Sequence, residues 1–230
     1  MKKIAIAAAL AATMLATPAL AGDNEGKIQV KLLATGVLPD GKISEVKSIV
    51  PALAANPAFA SPETTASDNV APTLAVEYFF TPNISLETIC CTTKHHVNGA
   101  AGSSLAGTNL ANDVLIVPAT FTLKYHMPLG PIKPYIGAGP AMFIMLDTKP
   151  GVTTTALGVT DIDTSSELGV AVQAGVDVPL GDSGFGISLD AKKYWVSTNA
   201  KFYNSANTLV LETRHKLNPW VISGGVSYRF

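Results

Sequence analysis

The sequence predicts an all-β fold, an eight-stranded antiparallel up-and-down barrel that spans a membrane. Three observations carry that prediction. Apolar residues recur at every second position in runs of about ten residues, the period of a strand with one greasy and one polar face. Long connections rich in Gly, Ser, Thr, Asn and Pro alternate with tight turns. The chain also opens with an export signal.

The signal is "MKKIAIAAALAATMLATPALA": two lysines, an apolar run over residues 4–15, then Pro18 ahead of Ala19, Leu20 and Ala21. Ala19 and Ala21 supply the small residues of an A-x-A cleavage site. The run is too short to cross a bilayer core of roughly 30 Å as a helix, so it reads as cleaved and not as a retained anchor. Residues 1–21 are therefore expected to be removed, leaving 22–230 as one barrel domain in the outer membrane of a Gram-negative envelope. The formal net charge of -1, with no basic stripe, argues against nucleic acid as a partner.

Each strand follows from its alternation. "VAPTLAVEYFF" sets Val70, Pro72, Leu74, Val76, Tyr78 and Phe80 against Ala71, Thr73, Ala75, Glu77 and Phe79. "DVLIVPATFTLKY" and "SELGVAVQAGVDVPL" split in the same way, so Leu123, Val172 and Val176 should face lipid while Thr122, Gln173 and Asp177 face inward. "KIQVKLLATG", "NISLETICCTTK", "IKPYIGAGPAMFIML", "FGISLDAKKYWVS" and the last strand, where Ile222 faces lipid and Ser223 the interior, complete about eight. Tight turns fall at residues 81–83, 127–131 and 181–184. Long extracellular loops are expected near 37–68, 95–112, 147–165 and 200–213.

A soluble lipocalin-like barrel also has eight strands, but its apolar face points inward and its outer face is charged. Here isolated charges, Glu77, Glu87, Lys124, Asp177 and Arg229, sit on small or hydroxylated faces opposite continuous Val, Leu, Ile and aromatic rows. With an export signal in front, the apolar rows face lipid, and the charges become candidates for pairing with one another in the lumen.

The sequence carries no enzyme signature. No G-x-S-x-G occurs, and "GSSLAG" at residues 102–107 misses it by its fifth residue. Adjacent Cys90 and Cys91 must point to opposite faces of a strand and read as two small apolar residues. His95, His96 and His215 fall near loops on one side and His126 at a turn on the other, which fits solvated histidines and no shared metal. No motif calls for a cofactor.

The C-terminal strand reads "NPWVISGGVSYRF", and Ser223, Gly225, Tyr228 and Phe230 resemble the assembly signal of outer-membrane barrels, which the barrel assembly machinery reads. With "KPYIGAGPAM" at residues 133–142 and "AVQAGVDVPL" at 171–180, the chain resembles the outer membrane protein W (OmpW) family over nearly its whole mature length. That resemblance implies a narrow, partly apolar interior and passage of small hydrophobic molecules. Family members carry a Trp-Tyr pair and then an acidic stretch in the seventh strand. This chain has Lys192, Lys193, Tyr194 and Trp195 followed by Val196, Ser197 and Thr198, so no gating residue carries over and the faces of the two lysines stay open.

Eight strands leave an interior filled by side chains or holding one small ligand, which excludes a general hydrophilic porin. Solute is then expected to enter at the extracellular mouth and leave sideways. The first long loop offers Ile49, Val50, Leu53 and Phe59 as a short helix or plug over that mouth, with the third loop beside it. Lipid and lipopolysaccharide would surround the barrel. A surface-recognition or stress-related role of the loops, without transport, is the alternative.

Overall fold

The computed structural model describes residues 26–127 and 129–230. Ala19 and Ala21 lie outside the described residues. Fourteen strands occur among those that are described: β1 (Ile28–Leu38), β2 (Lys42–Ile49), β3 (Thr64–Ala66), β4 (Asn69–Thr81), β5 (Ile84–Cys90), β6 (Thr93–Gly99), β7 (Asn109–His126), β8 (Lys133–Pro150), β9 (Val159–Thr164), β10 (Glu167–Pro179), β11 (Phe185–Trp195), β12 (Ser197–Asn204), β13 (Leu209–Lys216) and β14 (Trp220–Arg229). Eight of them close a ring in the order β1-β4-β5-β7-β8-β10-β11-β14, with β14 returning to β1 through pairs from Gln29↔Arg229 to Leu38↔Trp220. Closure pairs the first strand with the last, so neither ends the sheet as an open edge in hydrocarbon.

The outer surface is the apolar row of each strand. Leu32, Leu74, Leu123, Val172, Leu189 and Ile222 are exposed around the waist, and Val176 is half-buried on the same face. Tyr78, Phe80, Tyr125, Phe185, Tyr228 and Phe230 ring the end that carries the tight turns, while Trp195 and Trp220 mark the other limit of the band. Thr122, Gln173, Asp177 and Ser223 are buried inside.

The long connections differ from the expectation. Residues 37–68, 147–165 and 200–213 carry strands, and β2, β13, β12 and β9 form a second four-stranded sheet beyond the tryptophans. Their outward rows are hydroxylated or charged, which gave them the composition of loops. The inward rows, Ala200 and Phe202 or Leu211 and Thr213, keep the period of two and are buried. A helix α1 (Pro51–Ala54) and a 3-10 turn (Pro57–Phe59) follow β2, and a helix α2 (Val152–Ala156) follows β8. The stretch read as one strand, "NISLETICCTTK", breaks at Cys91 and Thr92 into β5 and β6.

Candidate functional site

The lumen holds two environments in series. Toward the turn end, inward positions of six strands bring together a buried ionic layer. Lys31 Nζ lies 2.9 Å from Glu77 and 3.1 Å from Asp177; Lys124 Nζ lies 2.8 Å from Glu77 and 3.0 Å from Glu87; Lys192 Nζ lies 3.0 Å from Glu87 and 2.6 Å from Asp190. Each of these side chains is almost fully buried. Charges in such a place persist only if their remaining bonds are satisfied. Ser188 donates to Asp177, Tyr135 donates to Asp190 at 2.9 Å, and the Gln173 amide donates to Glu87 and Asp190. His126 Nε2 is 2.7 Å from Glu77. The Tyr135 ring spans the layer, with Lys124 Nζ 3.6 Å from its centroid. Together these groups seal the barrel.

Glu77, Glu87, Lys124 and Asp177 thus meet in one layer. Arg229 instead stacks at 3.7 Å on Phe79 and donates to the Gly26 carbonyl at 2.6 Å, beside a turn-end vestibule of about 190 Å³. Sequence reasoning missed Lys31 and Asp190 and left the face of Lys192 open. The alternation that puts Leu32 and Leu189 in lipid also puts Lys31 and Asp190 inside. The unbroken β10–β11 register places Lys192 inward, while Lys193 turns out over Trp220 and donates to the Asn218 carbonyl.

The histidines correct the expectation of solvated loop side chains. His95, His126 and His215 are buried, and only His96 is exposed, because the strands continue past the positions where loops were expected to begin. Cys90 faces out and Cys91 in.

Above the ionic layer lies an apolar cavity of about 120 Å³. Ile89, Cys91, Ile116 and Pro118 line it on one wall, Phe143, Met145 and Tyr194 on another, Phe202 and Leu211 come from the second sheet, and Leu217 follows β13. Phe59 closes over it. Ile49 and Leu53 pack against the same cluster, and Val50 starts α1 with its N–H on the Val210 carbonyl. All the long connections contribute, since Leu105, Leu110, Thr154 and Leu157 also reach the lining.

One wall of this cavity is incompletely laced. β4 pairs with β5 only as far as Leu74↔Cys90, and β7 is unpaired on that side between Thr120↔Ile89 and Ile116↔Thr93. Pro72 and Pro118, which have no N–H to give, flank the gap. Bonds from the Asn69 amide to the Lys94 carbonyl and from Ser67 N–H to the His96 carbonyl bound it above. Thr73 and Cys91 face each other across this window.

At the seam, Ser223 Oγ lies 2.9 Å from Thr35 Oγ1, and the Phe230 N–H donates to the Ile28 carbonyl at 2.8 Å. A Cβ on Gly225 would stand 2.1 Å from the Leu32 carbonyl oxygen, so only glycine lets β14 approach β1 this closely. Tyr228 packs edge-on between Phe185 and Phe230, at 4.7 and 4.8 Å.

The sequence profile of the OmpW family matches residues 24–230. An uncharacterised outer-membrane protein of Sinorhizobium fredii is 34% identical over 169 residues, covering 71% of this chain and 67% of its own. Outer membrane protein W of Vibrio cholerae is 26% identical over the full length of both chains. In fold, the crystal structure of OprG from Pseudomonas aeruginosa superposes with a TM-score of 0.75 at 22% identity, covering 91% of this chain and 98% of that one. The solid-state NMR structure of AlkL in lipid bilayers follows, at a TM-score of 0.67 and 19% identity over 93% and 94% of the two chains.

Proposed function

This chain belongs to the OmpW family of outer-membrane barrels, and from that premise we propose that it passes small hydrophobic molecules across the outer membrane without catalysing a reaction. One observation carries the reading: an apolar cavity ends on a sealed ionic layer but abuts a wall segment that lacks ladder bonds. A solute leaving through the ionic layer would have to displace bonds among buried charges, at a cost of several kcal/mol per ion. Parting residues 71–73 from 91–93 breaks no ladder pair and opens onto lipid. The cavity therefore loads at the loop end, which faces outward, and empties sideways through the window into the bilayer. Lipopolysaccharide surrounds that end, and the assembly machinery engages the β14 seam.

The test locks the window. Thr73→Cys places a second inward thiol opposite Cys91, and the pair is expected to oxidise in the envelope. Cells making this variant are expected to take up naphthalene as slowly as cells lacking the protein, with recovery on mild reduction and sugar uptake unchanged throughout. Normal uptake with the disulfide formed would refute the sideways exit. Naphthalene uptake independent of the protein, with adhesion or stress survival dependent on it, would refute transport and leave the projecting sheet as the functional part.

A further inference from the structure

Two imidazoles reach the apolar cavity, and they differ in one respect. His215 has both ring nitrogens engaged, Nδ1 3.3 Å from Thr64 Oγ1 and Nε2 2.8 Å from Thr213 Oγ1. His95 uses only one. Its Nδ1 lies 2.6 Å from the Ser67 carbonyl oxygen. A carbonyl can only accept, so Nδ1 carries the proton and donates. Burial holds His95 below the ordinary histidine range, which keeps the ring neutral and leaves Nε2 a lone pair. Among the described residues Nε2 has no partner, although His95 is only 3% exposed and lines the cavity.

An acceptor open to an apolar cavity is rewarded when a donor fills it. It sits in a wall otherwise made of aliphatic and aromatic side chains and of hydroxyls such as Thr148, Thr164 and Thr198, which are engaged with each other or with backbone. We propose that His95 Nε2 accepts one hydrogen bond from an otherwise apolar solute, so that the cavity selects alcohols and phenols over the matching hydrocarbons. A carboxylate offers no donor there, and the cavity lining includes no carboxylate to pair with an ammonium. This selectivity rests on the transport reading above.

The experiment compares 2-naphthol with naphthalene on the full mature barrel in nanodiscs, with binding to empty nanodiscs subtracted and the imidazole nitrogens followed by NMR. The expected result is about tenfold tighter binding of 2-naphthol, the scale of one added hydrogen bond. The Nε2 resonance of His95 should move with 2-naphthol and stay still with naphthalene. His95→Phe should bind naphthalene as before and lose the preference, while His95→Gln, whose amide oxygen accepts, should retain part of it. Equal binding of the two compounds by the native protein, with Nε2 unmoved, would overturn the selectivity and leave transport standing. Failure to bind either would overturn both. If His95→Phe does not fold, the native Nε2 shift decides alone.

Discussion

Tyr135 lies against Gly175: a Cβ built on the glycine would come within 2.4 Å of the tyrosine hydroxyl. The missing side chain on β10 is what lets the ring from β8 cross the lumen to Asp190. Gly175→Ala should therefore push Tyr135 off its carboxylate and destabilise the refolded barrel by about 1–3 kcal/mol, the usual scale of overpacking in a filled interior. Denaturant unfolding in detergent measures it. Tyr135→Phe, which loses only the hydroxyl, is expected to cost less, and a larger loss from it would contradict the steric argument.

The Lys124–Glu77 pair gives a second prediction. Lys124→Met leaves Glu77 with Lys31 and His126, and Glu77→Gln leaves Lys124 with Glu87. Each single change should cost up to about 3–5 kcal/mol, the scale for a buried pair that loses one partner. Combining them should cost clearly less than the sum. Additive losses in a double-mutant cycle would show that the layer is not held by this pair.

At the seam, deleting Phe230 removes a backbone bond to β1 and an edge-on aromatic contact, and Gly225→Ala introduces a clash with the Leu32 carbonyl. Both are expected to reduce the fraction of chain that migrates in the fast, folded form on unheated denaturing gels. A change at Ser205, in the turn between β12 and β13, should not. Equal folded yields for all three would count against the seam as the critical joint.

Acidification should act at the loop end. Burial lowers the proton affinity of His95 and of His215 relative to the ordinary value of 6.5. Between the folded and unfolded values the unfolded chain binds more protons, so stability rises with pH and is lost as pH falls below about 6.5 toward the folded values. Amide exchange in β6 and β13, corrected for its intrinsic pH dependence, should be less protected at pH 5 than at pH 7.5, with β10 and β11 as the unaffected reference. Unchanged protection in β6 and β13 would sink the prediction.

The alternation of two was enough to read the ring, because one apolar row facing lipid leaves each neighbouring residue only one place to go. The same rule places Lys31, Asp190 and Lys192 inside. Lys31 is hard to see because it sits among apolar residues in "QVKLL", and the adjacent lysines of "AKKYW" take their faces only from the β10–β11 register. Partnerships such as Lys31 with Asp177, 146 residues apart, depend on strand order and tilt, which no local pattern contains. The second sheet was hidden for a different reason. Beyond the bilayer its outer row answers to water, so hydroxyls and charges there look the same on a strand as on a loop.

The ring closes by pairing Gln29 with Arg229, and that sets a schedule as well as a shape. Synthesis from the N-terminus at about 5–20 residues per second makes β1 available on the order of 10–40 s before its partner exists. Throughout that interval β1 is an open edge able to pair with any strand it meets, including another copy of itself. We expect that edge to need shielding until β14 is made, a consequence of pairing the first strand with the last.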